Sequence, residues 1–178
     1  GCMAIDRQKT ETVHWHAVFT ASRAEKKVRD RLEELGVECF LPVQTVLRQW
    51  TYRKSRVVVP VIAGLVFVRV GRQEQVKVLQ TKGVVAFLRL KGEAGAAVIP
   101  DKQMEDFRFL LDFSEEAVEM TNENIKAGDL VRVVKGSLRG MEGELIRHKG
   151  VTKVLVRIDM LGCAMVNIPA SFVEKLNK

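Results

Sequence analysis

The residues of this 178-residue chain with the widest chemical reach are His14 and His16, two apart in the run VHWHAVFT. On a strand that spacing puts both imidazoles on one face, where they could share a metal ion. No third ligand of suitable type lies nearby in sequence, so strand histidines without a metal are the better reading. Glu33–Glu34 and Glu115–Glu116 are carboxylate pairs, read more simply as solvated helix and linker charges than as an acid and a base. Cys2, Cys39 and Cys163 are far apart and odd in number, with no metal-ligand spacing. Cys39 and Cys163 read as small buried apolar residues, and a reducing cytoplasm is the expected location. No Walker loop, GxSxG elbow or CxxC is present. The expectation is a protein that is not an enzyme, with no catalytic residues, no metal and no cofactor.

Binding chemistry is better represented. Arg48, Trp50, Tyr52, Arg53, Lys54 and Arg56 interleave cations with aromatic rings, and Arg23, Lys26 and Lys27 lie off the apolar face of an expected helix. The cations could face nucleic-acid phosphates, each neutralised phosphate adding salt dependence, and Trp50 or Tyr52 could stack on an unpaired base. A solvated helix face and a basic loop carry equal weight. The net charge of +7 is unevenly spread: residues 1–100 hold +8, 101–123 hold −6 and 124–178 hold +5. Two basic bodies joined by an acidic stretch suit an acidic partner, or simple solubility. Gly128, Gly136, Gly140 and Gly143 crowd into sixteen positions, and each costs backbone entropy, so each needs a geometric reason. Gly128 is expected to set a turn into a strand, Gly136 and Gly140 a chain reversal, and Gly143 a bulge or close approach.

Periodicity supplies the elements that hold these residues. Residues 1–12 are polar and expected to be a flexible segment; Asp6, Arg7, Lys9 and Glu11, without an apolar core, do not read as a secretory signal. No apolar run approaches the ~20 residues of a membrane span, so no membrane role is expected. Residues 13–19 alternate as a strand. Ser22 with Glu25 forms a capping box for a helix with Val28, Leu32 and Leu35 on one face and Gly36 at its end. Residues 38–41 read as a short strand and 43–56 as less regular. Strands follow at 57–59 and 65–70, a short helix at 76–80 and a strand at 84–90. Asp101 caps a last helix that turns Met104, Phe107, Leu110 and Leu111 inward. These elements predict an α+β domain over 13–113. The acidic run 114–124 reads as a linker. Residues 125–178 alternate Val and Ile around tight glycine turns, which predicts a small closed barrel.

The pattern Gly128-Asp129-x-Val131-Arg132-Val133-x-x-Gly136-x-x-x-Gly140-x-x-Gly143 resembles the KOW motif of SH3-like barrels in ribosomal and transcription proteins. The first half resembles the N-terminal (NGN) domain of the NusG family. Trp15 opens a strand, a helix carries Glu25, Lys26, Lys27 and Leu32, and Gly36 and Pro42 follow. VPVIAGLVFV (59–68) is similar to that family's P-L-F-P-G-Y-x-F-V segment, and TKGVVAFLRL (81–90) to its T-x-G-V-x-x-F-x strand. Ile99-Pro100 before Met104, then Gly162 and Phe172-Val173-Glu174, extend the likeness over 13–176. AEKKVRDRLEELGVECFLP, with RQW and RK after it, is most similar to the specialised, UpxY-like NusG paralogs of Bacteroidetes that act on capsular polysaccharide operons, RfaH being a more distant relative. Ile62, Ala63 and Leu65 depart from the family's Phe, Pro and Tyr, Ser137 stands where Pro is common, and Cys163 where Arg is common.

The resemblance implies a ferredoxin-like NGN α/β sandwich, an acidic linker and a five-stranded SH3-like barrel. It implies a monomeric transcription elongation and antitermination factor that bridges the RNA polymerase cleft and suppresses pausing. Phe19, Ile62, Leu65 and Phe67 would form an apolar patch for the clamp helices, though pattern alone reads all four as core. Arg72, Glu74 and Lys77 would reach the opposite pincer. Arg23, Lys26, Lys27, Arg48, Trp50, Arg53, Lys54 and Arg56 would face DNA at the transcription bubble. The barrel would recruit a ribosomal protein or a termination factor. The alternative is a KOW-containing RNA-binding or ribosome-associated module without polymerase activity.

Overall fold

The computed structural model describes residues 12–176, so Cys2 and the polar segment before residue 12 lie outside it. The chain divides into two compact units. One comprises the described residues up to Leu41 together with Ala63–Asp101, and the other comprises Pro42–Ile62 and Lys102 onward.

The first unit is a four-stranded antiparallel sheet of β1 (His14–Thr20), β2 (Glu38–Phe40), β5 (Leu65–Val70) and β6 (Val84–Phe87), in the order β2-β5-β1-β6. Helix α1 (Glu25–Glu34) packs on β2 and β5, and α2 (Glu74–Leu79) on β6. The central strands bury successive residues, Trp15 to Val18 and Leu65 to Val68, so both faces of the sheet centre are covered. This explains why 65–68 reads as a continuous apolar run instead of an alternation. The expected capping box does not form: Arg23 takes a left-handed conformation, Ala24 precedes the first helical turn, and no side chain caps it. The helix therefore starts at Glu25, whose carboxylate is buried and turned away to another partner.

The second unit holds an isolated two-stranded ribbon, β3 (Val43–Gln49) with β4 (Lys54–Pro60), in the stretch expected to be less regular. It also holds α3 (Asp101–Phe113, all but its first residue) and a six-stranded antiparallel sheet. That sheet comprises β7 (Glu119–Thr121), β8 (Asp129–Val133), β9 (Glu142–His148), β10 (Val151–Ile158), β11 (Gly162–Asn167) and β12 (Val173–Lys175), in the order β12-β8-β9-β10-β11-β7. It has one strand more than the five expected, because the acidic run read as linker supplies β7, paired with β11 through Cys163↔Thr121 to Met165↔Glu119. Val131, Val133, Val154, Val156, Val166 and Ile168 are buried, but the expected alternation holds only in β8: in β10 and β11 Leu155, Cys163 and Met165, on the opposite face, are buried as well. No helix among the described residues is long and apolar enough to cross a membrane.

Candidate functional site

The apolar surface of the first unit is built around the end of β1. Phe19 is 40 % exposed and lies opposite Leu65 on one side and Ala86 on the other. Leu65 and Phe67 are 1 % and 0 % exposed, so they are core and offer no surface, as a sheet centre covered on both faces requires. Phe67 instead stacks on Phe40 with ring centroids 6.3 Å apart. The register slips between Phe19 and Thr20, leaving Val85 without a cross-strand partner and 65 % exposed. Nothing in its sequence surroundings marks Val85, because a bulge has no signature in apolar alternation. Ile62 belongs to the other unit and is half-buried.

The turn leading into β5 is held by polar contacts. The Gly64 N–H donates to Glu25 Oε2 at 2.9 Å, and the Gly64 carbonyl accepts from the Thr20 N–H at 2.9 Å. Gly64 has φ +69°, a conformation that favours glycine. The buried carboxylate thus ties the first turn of α1 to the loop beside Phe19.

The basic residues fall into two groups. Arg23, Lys26 and Lys27 are exposed at the start of α1. Arg48, Trp50, Arg53, Lys54 and Arg56 are exposed at the end of the β3–β4 ribbon, together with Leu47 and Tyr52. The two groups belong to different units. Arg72 and Lys77 are exposed about the start and along α2; Glu74 is half-buried and accepts from the Gly71 N–H at 3.5 Å.

The glycine-rich segment holds the β8–β9 hairpin. Gly136 and Gly140 have φ +87° and +95°, and the chain reverses between them as expected. Gly128 serves close approach instead of a turn: a Cβ there would run into the Leu145 carbonyl oxygen. At Gly143 a Cβ would stand 2.9 Å from the Leu155 carbonyl oxygen, a close approach of the expected kind. Asp129 is exposed and Val131 buried. Glu144 closes this end of the sheet, accepting from the Gly128 N–H at 3.1 Å and from Arg157 at 2.6 and 3.0 Å. Burial pushes the Glu144 carboxyl up, but the Arg157 hydrogen bond, the Gly128 N–H and the Arg157 charge together bring it below the usual carboxylate range.

His14 and His16 share a strand face but not an environment. His14 is exposed, whereas His16 is buried and donates from Nδ1 to the Ala97 carbonyl at 2.8 Å. Burial holds the His16 pKa below its ordinary value, so the ring is neutral and its donor nitrogen is already engaged. Among the described residues no three metal-binding side chains gather. Burial raises Cys39 to about 11 and also raises Cys163, the opposite of what a reactive thiolate needs.

The chain thus carries exposed apolar and basic side chains on an α/β unit, and exposed basic side chains on the ribbon of a second, mainly β unit. A family model described as "Transcription termination factor nusG" matches residues 13–108, more than half of the chain. The chain belongs to the NusG family of transcription factors. A comparison with curated proteins gave no match. Among solved structures, the chain is similar to that described as "Domain interaction in Thermotoga maritima NusG", with 23% identity, 93% of this chain and 98% of that chain covered, and a TM-score of 0.49. It is also similar to a chain of the MjSpt4:Spt5 complex in conformation B, with 18% identity, coverage of 92% and 97%, and a TM-score of 0.28.

Proposed function

We propose that this chain is an elongation and antitermination factor that binds RNA polymerase across its cleft and acts in the cytoplasm. The observation that carries the reading is Phe19, an aromatic ring left exposed just after the buried run Trp15 to Val18 of a central strand in a domain of the NusG family. Phe19 and the exposed Val85 of the paired strand offer a partner apolar surface to cover. Phe19 and Val85 meet the clamp helices, Ile62 adds to that contact, and Arg72, Glu74 and Lys77 meet the opposite pincer. Holding both sides favours the closed clamp by the difference in affinity for the two clamp states. The β7–β12 sheet is the KOW barrel; it recruits a ribosomal protein or termination factor and raises that partner's effective concentration at the polymerase. The basic residues of α1 and the ribbon face DNA, and the factor serves particular operons of the capsular polysaccharide type.

The test is a titration of bacterial RNA polymerase elongation complexes with the natural chain and with Phe19→Glu. Leu65→Glu is unsuitable, since it would place a charge in the sheet core. Fully burying a phenylalanine contributes about 1.5–3 kcal/mol, and Phe19 has 40 % of its surface left to cover, so loss of the ring alone predicts roughly 3- to 8-fold weakening, and the glutamate charge adds to it. Unchanged binding by a folded Phe19→Glu variant would sink the patch. No binding by the natural chain, together with tight binding to structured RNA, would favour the RNA-binding module.

A further inference from the structure

Arg48, Arg53, Lys54 and Arg56 fall within nine residues that contain no acid. None of their side chains has a hydrogen bond or ion pair among the described residues. Glu115 and Glu116 line the same cleft as Arg56 without pairing with it. Four cations on one narrow element repel one another, a cost that a dense run of phosphates would remove.

The ribbon's register sorts them. Residues opposite each other on paired strands point to the same face. Gln49 lies opposite Lys54 and Leu47 opposite Arg56, which puts Lys54 and Arg56 on one face. Arg48 lies opposite Ser55 on the other face, and Trp50 and Arg53, joined by a 2.7 Å backbone hydrogen bond, continue that side. Tyr52 stands at the turn and is 97 % exposed.

A platform for a single strand gathers its cations and rings along one groove and tracks one backbone. Here the cations lie on both faces of a flat element. That suits an element with a phosphate backbone on each side of it. The major groove of B-DNA, about 12 Å wide, admits a two-stranded β-ribbon, whereas the major groove of an RNA duplex is too deep and narrow for side chains to read. We propose that the β3–β4 ribbon is a duplex-DNA arm that enters the major groove tip first. Arg48 and Arg53 reach one phosphate backbone, Lys54 and Arg56 the other, and Tyr52 leads toward the base edges. The proposal rests on the reading that the ribbon faces nucleic acid, but it does not require the polymerase contact.

The test uses the full chain without polymerase. Fluorescence anisotropy would follow binding to a mixed-sequence DNA duplex, to one of its strands and to an RNA duplex of the same sequence, across a range of salt concentrations. The DNA duplex is expected to bind tightest. Each phosphate contact contributes about 0.9 to the slope of log affinity against log salt, so either double variant, Arg48→Gln/Arg53→Gln or Lys54→Gln/Arg56→Gln, should lower it by about 1.8. Arg147→Gln/Lys149→Gln, an equal loss of charge on β9 and the turn after it, should leave the slope unchanged. Circular dichroism of each variant confirms that the fold is intact. Preference for the single strand or the RNA duplex would overturn the proposal. So would an effect confined to one face of the ribbon, an equal effect of the β9 variant, or no DNA binding. The polymerase titration is scored separately and can succeed or fail on its own.

Discussion

Glu25 shows what one residue can do that its motif does not announce. Ser22-x-x-Glu25 has the form of a capping box, but Arg23 takes a left-handed conformation and the carboxylate turns to the Gly64 N–H. Its partner lies 39 residues along the chain, so no local pattern could reveal the contact. Glu25→Ala would leave the part-buried Gly64 N–H without an acceptor and should cost about 1–3 kcal/mol in urea unfolding. Glu25→Gln keeps a carbonyl oxygen there and should cost less; equal losses for the two would mean that packing, not the hydrogen bond, holds the turn. The same limit applies to Leu65 and Phe67. Their apolar character was legible, but alternation cannot distinguish a strand covered on both faces from one that offers a side to a partner. Gly128 was singled out correctly as a glycine with a purpose; the purpose, room for the Leu145 carbonyl, depends on a strand that pairs with it from far along the chain.

At the scale of elements, legibility followed burial. Helix α1 and strand β8 bury one face, which writes a period into sequence, while β1, β5, β10 and β11 bury successive residues and stand out by their apolar character. The β3–β4 ribbon pairs only with itself, and its end carries charged or polar residues on both faces, so no period is written there. Strand β7 is three residues long and was hidden in an acidic run. Just before β7 the run is also held by a side chain: Gln44 on β3 donates to the Val118 carbonyl at 3.1 Å and accepts from the Val118 N–H at 3.0 Å. The amide stands in for a strand partner, offering the donor and acceptor that a backbone would. Gln44→Ala should free the Val118 amide to exchange about fivefold faster, for a net bond of about 1 kcal/mol, and expose residues 114–118 to proteolysis. Unchanged exchange at Val118 would show that the run is held by other contacts.

At the scale of the whole molecule, the two units carry different acid sensitivities. In the first unit, burial lowers the pKa of His16 below 6.5. As pH falls through about 6.5 the unfolded chain takes up a proton that the folded unit refuses, so stability is lost from that point downward. In the second unit, burial alone would raise the Glu144 pKa, but Arg157 and the Gly128 N–H bring it below 4.5. Its contribution is complete above 4.5 and is lost as pH falls from there through the folded value. The Lys153 hydrogen bond lowers Glu119 on β7 in the same direction. Native-state hydrogen exchange, corrected for intrinsic rates, should therefore show protection at Val66 and Val68 declining as pH falls below about 6.5 while Val154 and Val166 hold. Below about 4.5 the second unit should follow. His16→Gln, which keeps a donor for the Ala97 carbonyl but cannot titrate, should flatten the first decline and leave the second in place. Loss of protection in both units together from pH 6.5, persisting in His16→Gln, would mean that neither His16 nor a separate response of the units sets the acid behaviour.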